Sequence, residues 1–411
     1  MHIRPFKYWK KNKLLTVAGL ITFIVIPNLF FKPTTNKAHT NTIQASSSAT
    51  QCQSCHQEIY DSYLKTAHNL DSRPATAAGI RGSFHRDSNI YAFNQFMQVS
   101  MLKEGNRFAQ SARFNQEEMQ KQYFDIVIGS GRKGQSYLYW KGNQLFQLPI
   151  SYFTATNSWT NSPGFPSYPY FERPVPLNCL ECHSSAAKKV TSGDAINAYD
   201  KASVMLSINC ERCHGPSKEH IDHHTLNPGE KEGQFIVNPA SIATREIRMD
   251  VCAVCHSGIR QHKRPPFSFK PGMSLKDHSV GLPVSNNPDT LDVHGNQYGL
   301  LAASECYKSS VEMDCSSCHN VHREEVNNPA LFSSRCMTCH STEKKTFCTL
   351  QTDQINLAEN CIDCHMPVLP SRKIQLSTAA IKKIQSDSIR THFVSIYREQ
   401  TKKILERTNL K

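Results

Sequence analysis

Seven copies of Cys-x-x-Cys-His punctuate this chain of 411 residues: Cys52–His56, Cys179–His183, Cys210–His214, Cys252–His256, Cys315–His319, Cys336–His340 and Cys361–His365. No other feature limits the fold as strongly. The pentapeptide is the attachment signature of c-type haem, and it needs both thiols and the imidazole at this spacing. The Cys pairs 52/55, 179/182, 210/213, 252/255, 315/318, 336/339 and 361/364 (that is Cys52, Cys55, Cys179, Cys182, Cys210, Cys213, Cys252, Cys255, Cys315, Cys318, Cys336, Cys339, Cys361 and Cys364) are expected to form thioethers to the porphyrin vinyl groups. His56, His183, His214, His256, His319, His340 and His365 are then the fixed fifth ligands of seven irons.

Other uses of cysteine fit less well. Zinc ribbons also use Cys-x-x-Cys pairs, but zinc gives no reason for a His directly after the second Cys every time. A tight Cys-x-x-Cys bridge is normally a redox dithiol rather than a repeated staple, which argues against a disulfide framework. Cys306 and Cys348 lie outside the motifs, and in an oxidising compartment the two are expected to bridge.

Composition is read in that light. Only 39% of residues are hydrophobic and 21 are proline, a thin supply for an ordinary core of this length. Seven haems would bring large flat apolar surfaces of their own. The expected fold is therefore mainly α and irregular, haem-packed, with a small antiparallel β insertion and a C-terminal helix. The formal charge of +13 invites a nucleic-acid reading, which the chemistry opposes. Seven of the 47 basic residues fall in residues 1–37, where no acid occurs, leaving 40 against 34 elsewhere. Haem propionates would cancel that remainder at roughly one negative charge per ferric bis-His haem. No nucleic-acid motif accompanies it.

The N-terminus carries Arg4, Lys7, Lys10, Lys11 and Lys13, followed by an apolar run from Leu14 to Phe31. Positive charge ahead of an apolar stretch directs the following chain across a membrane. The run is just long enough to span, although Pro27 interrupts it, so a retained anchor is favoured over a cleaved signal. The mature chain is expected at the periplasmic face of the inner membrane, or soluble in the periplasm after cleavage. Lys32 to Thr50 reads as a polar tether.

Motif spacing suggests residues 1–50 as anchor or signal plus tether and 51–175 as the first motif with the β-rich insertion. Residues 176–372 form a six-haem body and 373–411 a C-terminal helix. Strand patterns run through Ile90–Phe96, Gln98–Leu102, Arg107–Phe114, Phe124–Ile128 and Ser136–Trp140, separated by Gly-containing turns. Gly129-x-Gly131-x-x-Gly134 follows a strand but precedes another, so it reads as a hairpin and not a nucleotide fingerprint. Ser151 to Pro176 is aromatic and Pro-rich, consistent with an extended cover for haem faces. From Ile374 onward, Ile381, Ile384, Ile389, Phe393, Ile396, Tyr397 and Ile404 recur near helical spacing.

Setting aside the seven motif histidines, His2 and His39, ten of the nineteen His remain, enough for the sixth position of every iron. His322 sits one turn after His319, and a sixth ligand must approach from the opposite face of the porphyrin, so it can serve only a different haem. His68, twelve residues after His56, would lie about 18 Å along a helix, again out of reach of its own iron.

Several segments resemble the multihaem cytochrome c-554 family, the cytochrome c-552/4 domain group related to hydroxylamine oxidoreductase. They are Cys52-Gln-Ser-Cys-His-Gln-Glu-Ile-Tyr-Asp-Ser-Tyr-Leu-Lys-Thr-Ala-His68, the Cys-His-Gly-Pro-x-x-x-His run ending at His220, Cys-His-Asn-Val-His322 and Cys361-Ile-Asp-Cys-His-Met-Pro367. The resemblance implies that His68, His220 and His322 are distal ligands. His392, His294 and His278 are the further candidates from their own surroundings. His262, His85, His223 and His224 read instead as solvated or propionate-pairing residues.

Enough histidine to close every iron points to electron transfer between redox proteins: a quinol-linked donor, other cytochromes or a terminal reductase. The competing reading is an oxidoreductase with one open haem acting on a small nitrogen or sulfur compound, with the iron at Cys252–His256 as candidate and His262 as proton donor. No Cys-x-x-Cys-Lys variant supports it.

Overall fold

Strands and helices occur in nearly equal amounts, with most strands gathered between residues 72 and 174. A computed structural model describes residues 47–190, 193–282, 287–378 and 384–408. About a quarter of the structure is helix and a quarter strand. This corrects the expectation of a mainly α fold with a small β insertion. Antiparallel pairing runs through far more of the chain than the motif-dense composition suggested.

Residues 72–174 contribute eleven strands: β1 (Ser72–Pro74), β2 (Ile90–Ala92), β3 (Met97–Glu104), β4 (Arg107–Phe114), β5 (Glu117–Tyr123), β6 (Ile126–Ile128), β7 (Gly134–Lys141), β8 (Gln144–Gln147), β9 (Ile150–Phe153), β10 (Ser158–Asn161) and β11 (Arg173–Pro174). β2 to β5 form a four-stranded meander. The β3–β4 turn uses Gly105 at φ 59°, a conformation glycine adopts without penalty. The other seven strands form a second sheet, with β1, β6, β7, β8 and β11 in order and β9 and β10 branching from β7. Gly129 and Gly131, both at positive φ, carry the β6–β7 hairpin.

The two sheets share one core. Val99, Met101 and Phe108 from the first pack with Val127, Tyr137, Ile150 and Trp159 from the second and with Leu148 and Phe171 from its connecting segments. Phe171, expected over a haem face, is 2% exposed within this β core. The second sheet also packs on a second cluster, where Ile126, Leu138 and Leu145 meet Leu180 of the second motif and Tyr199, Val204 and Leu206. Val204 and Leu206 belong to β13 (Tyr199–Leu206), which pairs with β12 (Ser184–Lys189). The β region thus carries the second motif on its flank.

The C-terminal stripe does not form one helix. Ile374 lies in β14 (Val368–Leu376) and Ile389 in β15 (Gln385–Arg390), which pair antiparallel, and the helix is confined to Arg398–Thr408. Long-range pairing has overridden the local 3.6-residue pattern, and Ile381 lies outside the described residues. Residues 1–46, with the expected anchor, also lie outside them. Among the described residues no helix is long and apolar enough to cross a membrane.

Candidate functional site

Each motif is built as about one helical turn. The His N–H donates to the first Cys carbonyl in His56→Cys52 (2.8 Å), His319→Cys315 (3.0 Å) and His340→Cys336 (2.9 Å). The other four motifs lie within helices Leu177–His183, Cys210–His214, Arg245–His256 and Cys361–His365. In such a turn residues i, i+3 and i+4 share a face, so both thiols and the imidazole address one object.

Four motif histidines face a second imidazole. Ring centres are 6.4 Å apart for His56 and His220, 6.2 Å for His256 and His68, 5.9 Å for His214 and His322, and 6.1 Å for His319 and His392. Rings in direct stacking contact would sit closer. Two imidazoles on opposite sides of one metal, each bonded at roughly 2 Å, place their centres about 6 Å apart. The residues therefore fit an iron between each pair. In every case the second His comes from a remote part of the chain. Burial, with His256 nearby, pushes the His68 imidazole down to about 4. Burial and His319 do the same to His392. Both stay neutral and keep a nitrogen lone pair for a metal.

His392 lies in the extended segment after β15, not on the final helix. No imidazole is paired with His183, His340 or His365 among the described residues. His294 lies near His183 and Asp387, without ring pairing. His278 is buried against the edge of Phe269, and its Nδ1 lies 3.2 Å from the Ser274 carbonyl. His262 is held at 2.8 Å by Glu181. At the fourth motif, suggested from sequence as the open position, His68 faces His256, and His262 lies against Glu181 of the second motif. His85 pairs with Asp87 and His223 with Glu230 at the surface, while His224 packs on the His220 ring.

The thiols of different motifs also meet. Cys52 contacts Cys210, Cys182 contacts Cys255, Cys252 contacts Cys315 and Cys336 contacts Cys361. Cys213 lies near Cys252 and Cys255, and Cys318 near Cys336. Numbered along the chain, the motifs follow one another as one, three, four, five, six and seven, with the second beside the fourth. Cys306 and Cys348 are not joined in the structure, so the expected bridge is not shown. Cys306 sits by the fifth and sixth motifs and Cys348 by the seventh.

Two acidic residues near the motifs escaped the sequence reading. Glu181, inside the second motif, is 2% exposed and accepts from Arg260 Nη2 at 2.6 Å and from the Phe267 N–H at 2.8 Å. Asp71 Oδ2 lies 3.0 Å from Nδ1 of His183. Burial opposes a charged His183, but the Asp71 carboxylate raises its imidazole above the ordinary value. A motif consensus carries no signal for either, since Glu181 fills a variable position and Asp71 is remote in sequence.

The chain is a multihaem c-type cytochrome. Residues 171–215, which hold the second and third motifs, match the family described as Cytochrome c554 and c-prime. Among individual proteins, the multiheme cytochrome MtrA of Shewanella baltica (strain OS185) is 24% identical over 185 residues, covering 41% of this chain and 53% of that protein. The chain thus spans about half the length of this curated relative. The crystal structure of the outer cell wall cytochrome OcwA superposes with a TM-score of 0.52 at 15% identity, over 87% of this chain and 81% of that one. That likeness is one of fold.

Proposed function

We propose that all seven motifs hold haem c and that the protein transfers electrons between redox partners. Haem c, when bound, supplies the one-electron couple of its iron. The chain's part is to attach, ligate and order the sites. The observation that carries this reading is the set of four imidazole pairs, each joining a motif to a histidine from a remote segment. Two protein ligands on one iron leave no position for a substrate, which favours conduction over catalysis. The thiol contacts bring successive motifs side by side, so charge entering at one end of the row has neighbours along its length. A basic segment followed by an apolar run in the first 31 residues supports export to the periplasmic side, where a quinol-linked donor, other cytochromes or a terminal reductase would be the partners.

The enzyme reading keeps one observation of its own: among the described residues no imidazole is paired with His183, His340 or His365. Rapid mixing of the fully reduced holoprotein with a one-electron acceptor separates the two. A carrier reoxidises completely, at a rate unchanged by CO, and does not turn over nitrite or hydroxylamine. Catalytic turnover abolished by CO would overturn the carrier reading.

A further inference from the structure

Asp71 is the residue immediately before β1, and the fold holds it in place. Its carbonyl accepts from the Gly129 N–H at the end of β6, and its own N–H donates to the His68 carbonyl at 3.4 Å. The β1–β6 pairing, Ser72 opposite Ile128, continues that anchorage. The carboxylate so positioned is 22% exposed and meets His183 Nδ1 at 3.0 Å. Three other motif histidines have a neutral partner at the same nitrogen. His214 Nδ1 lies 2.9 Å from the Val237 carbonyl, His340 Nδ1 3.1 Å from Thr346 and His365 Nδ1 2.9 Å from Ser395.

The difference matters to a bound metal. A carboxylate draws the Nδ1 proton more strongly than an amide carbonyl does, and the opposite nitrogen becomes a stronger donor. A stronger axial donor favours the ferric state and lowers the reduction potential. The second motif also stands beside the row, touching the fourth through Cys182 and Cys255.

We propose that Asp71 is a positioning residue that strengthens His183 as an axial ligand, making the site at Cys179 and Cys182 the lowest-potential position of the seven. Such a site fills last and empties first, a side branch that gives up its electron before the main row does. The proposal rests on His183 being the axial ligand of an attached haem. Asp71 also lies near Arg73, His68 and His256, so the rival is a diffuse countercharge acting on several sites at once.

Spectroscopic redox titration of the holoprotein separates the two. Wild type, D71N and D71E are first checked for seven haems by intact mass. The expected result is that D71N moves the lowest of seven transitions upward and leaves the others in place, and that D71E restores it. Superimposable curves, or a uniform shift of all seven, would overturn the role of Asp71 while leaving the carrier reading intact. Wild-type protein lacking haem at Cys179 and Cys182 would overturn both. If D71N fails to load, EPR of the oxidised wild type decides. One low-spin centre with the narrowed g spread of an imidazolate-like donor supports the proposal, and its absence overturns it.

Discussion

His68, shortly after the first motif, faces the histidine of the fourth, and the proposed ligation has a consequence for this single residue. It faces His256, so H68A should leave that one site with a single protein ligand. The expected outcome is seven haems by mass, one new high-spin ferric signal, and binding of one more CO per reduced chain than wild type. A second residue-scale expectation concerns acid. Arg335 holds the Glu325 carboxylate at 2.9 Å and keeps it below the usual range. Because the folded value is depressed, its stabilisation is complete above the unfolded value of about 4.3 and is lost as pH falls through the lower folded value. E325Q should therefore cost under about 1 kcal/mol near neutrality, and the difference from wild type should vanish in strong acid, as chemical unfolding across pH would show. At this scale the motif geometry was legible, because Cys, Cys and His sit within one turn and that arrangement is local. Which distant His faces which motif was not legible. Those pairs are brought together only by tertiary packing, and His392 reaches His319 from an extended segment that its apolar neighbours disguised as helix.

Among the elements, the β region shows where pattern reading stopped short. Strand β4 was read at its observed bounds, because an alternating run between two turn signals needs no tertiary context. Strand β5, Glu-Glu-Met-Gln-Lys-Gln-Tyr, is polar enough to pass as loop, and it is a strand because β4 pairs with it. Likewise β14 and β15 depend on each other and not on their own periodicity. The core between the sheets leaves little slack at Gly82, where an added Cβ would come within 2.1 Å of the Trp159 ring. Trp159 is itself fixed by its Nε1–H donating to the Ser83 carbonyl at 2.7 Å. G82A should destabilise the fold by about 1–3 kcal/mol through overpacking. A lowered melting transition with haem content unchanged would be the sign.

For the whole molecule, the two-sheet β body and the motif-bearing segments form one compact unit. The second sheet presents the second motif on one flank and, through the turn before β1, sets both His68 and Asp71. Histidines from remote segments face four of the motifs, so on the proposed ligation attachment and folding are expected to be mutually dependent. On the proposed function, histidines from remote segments close the irons of at least four motifs. Quantitative low-temperature EPR of the oxidised holoprotein tests it most directly. Four or more low-spin ferric centres per chain is the predicted result, and a majority of high-spin centres, with fewer than four low-spin, would contradict it.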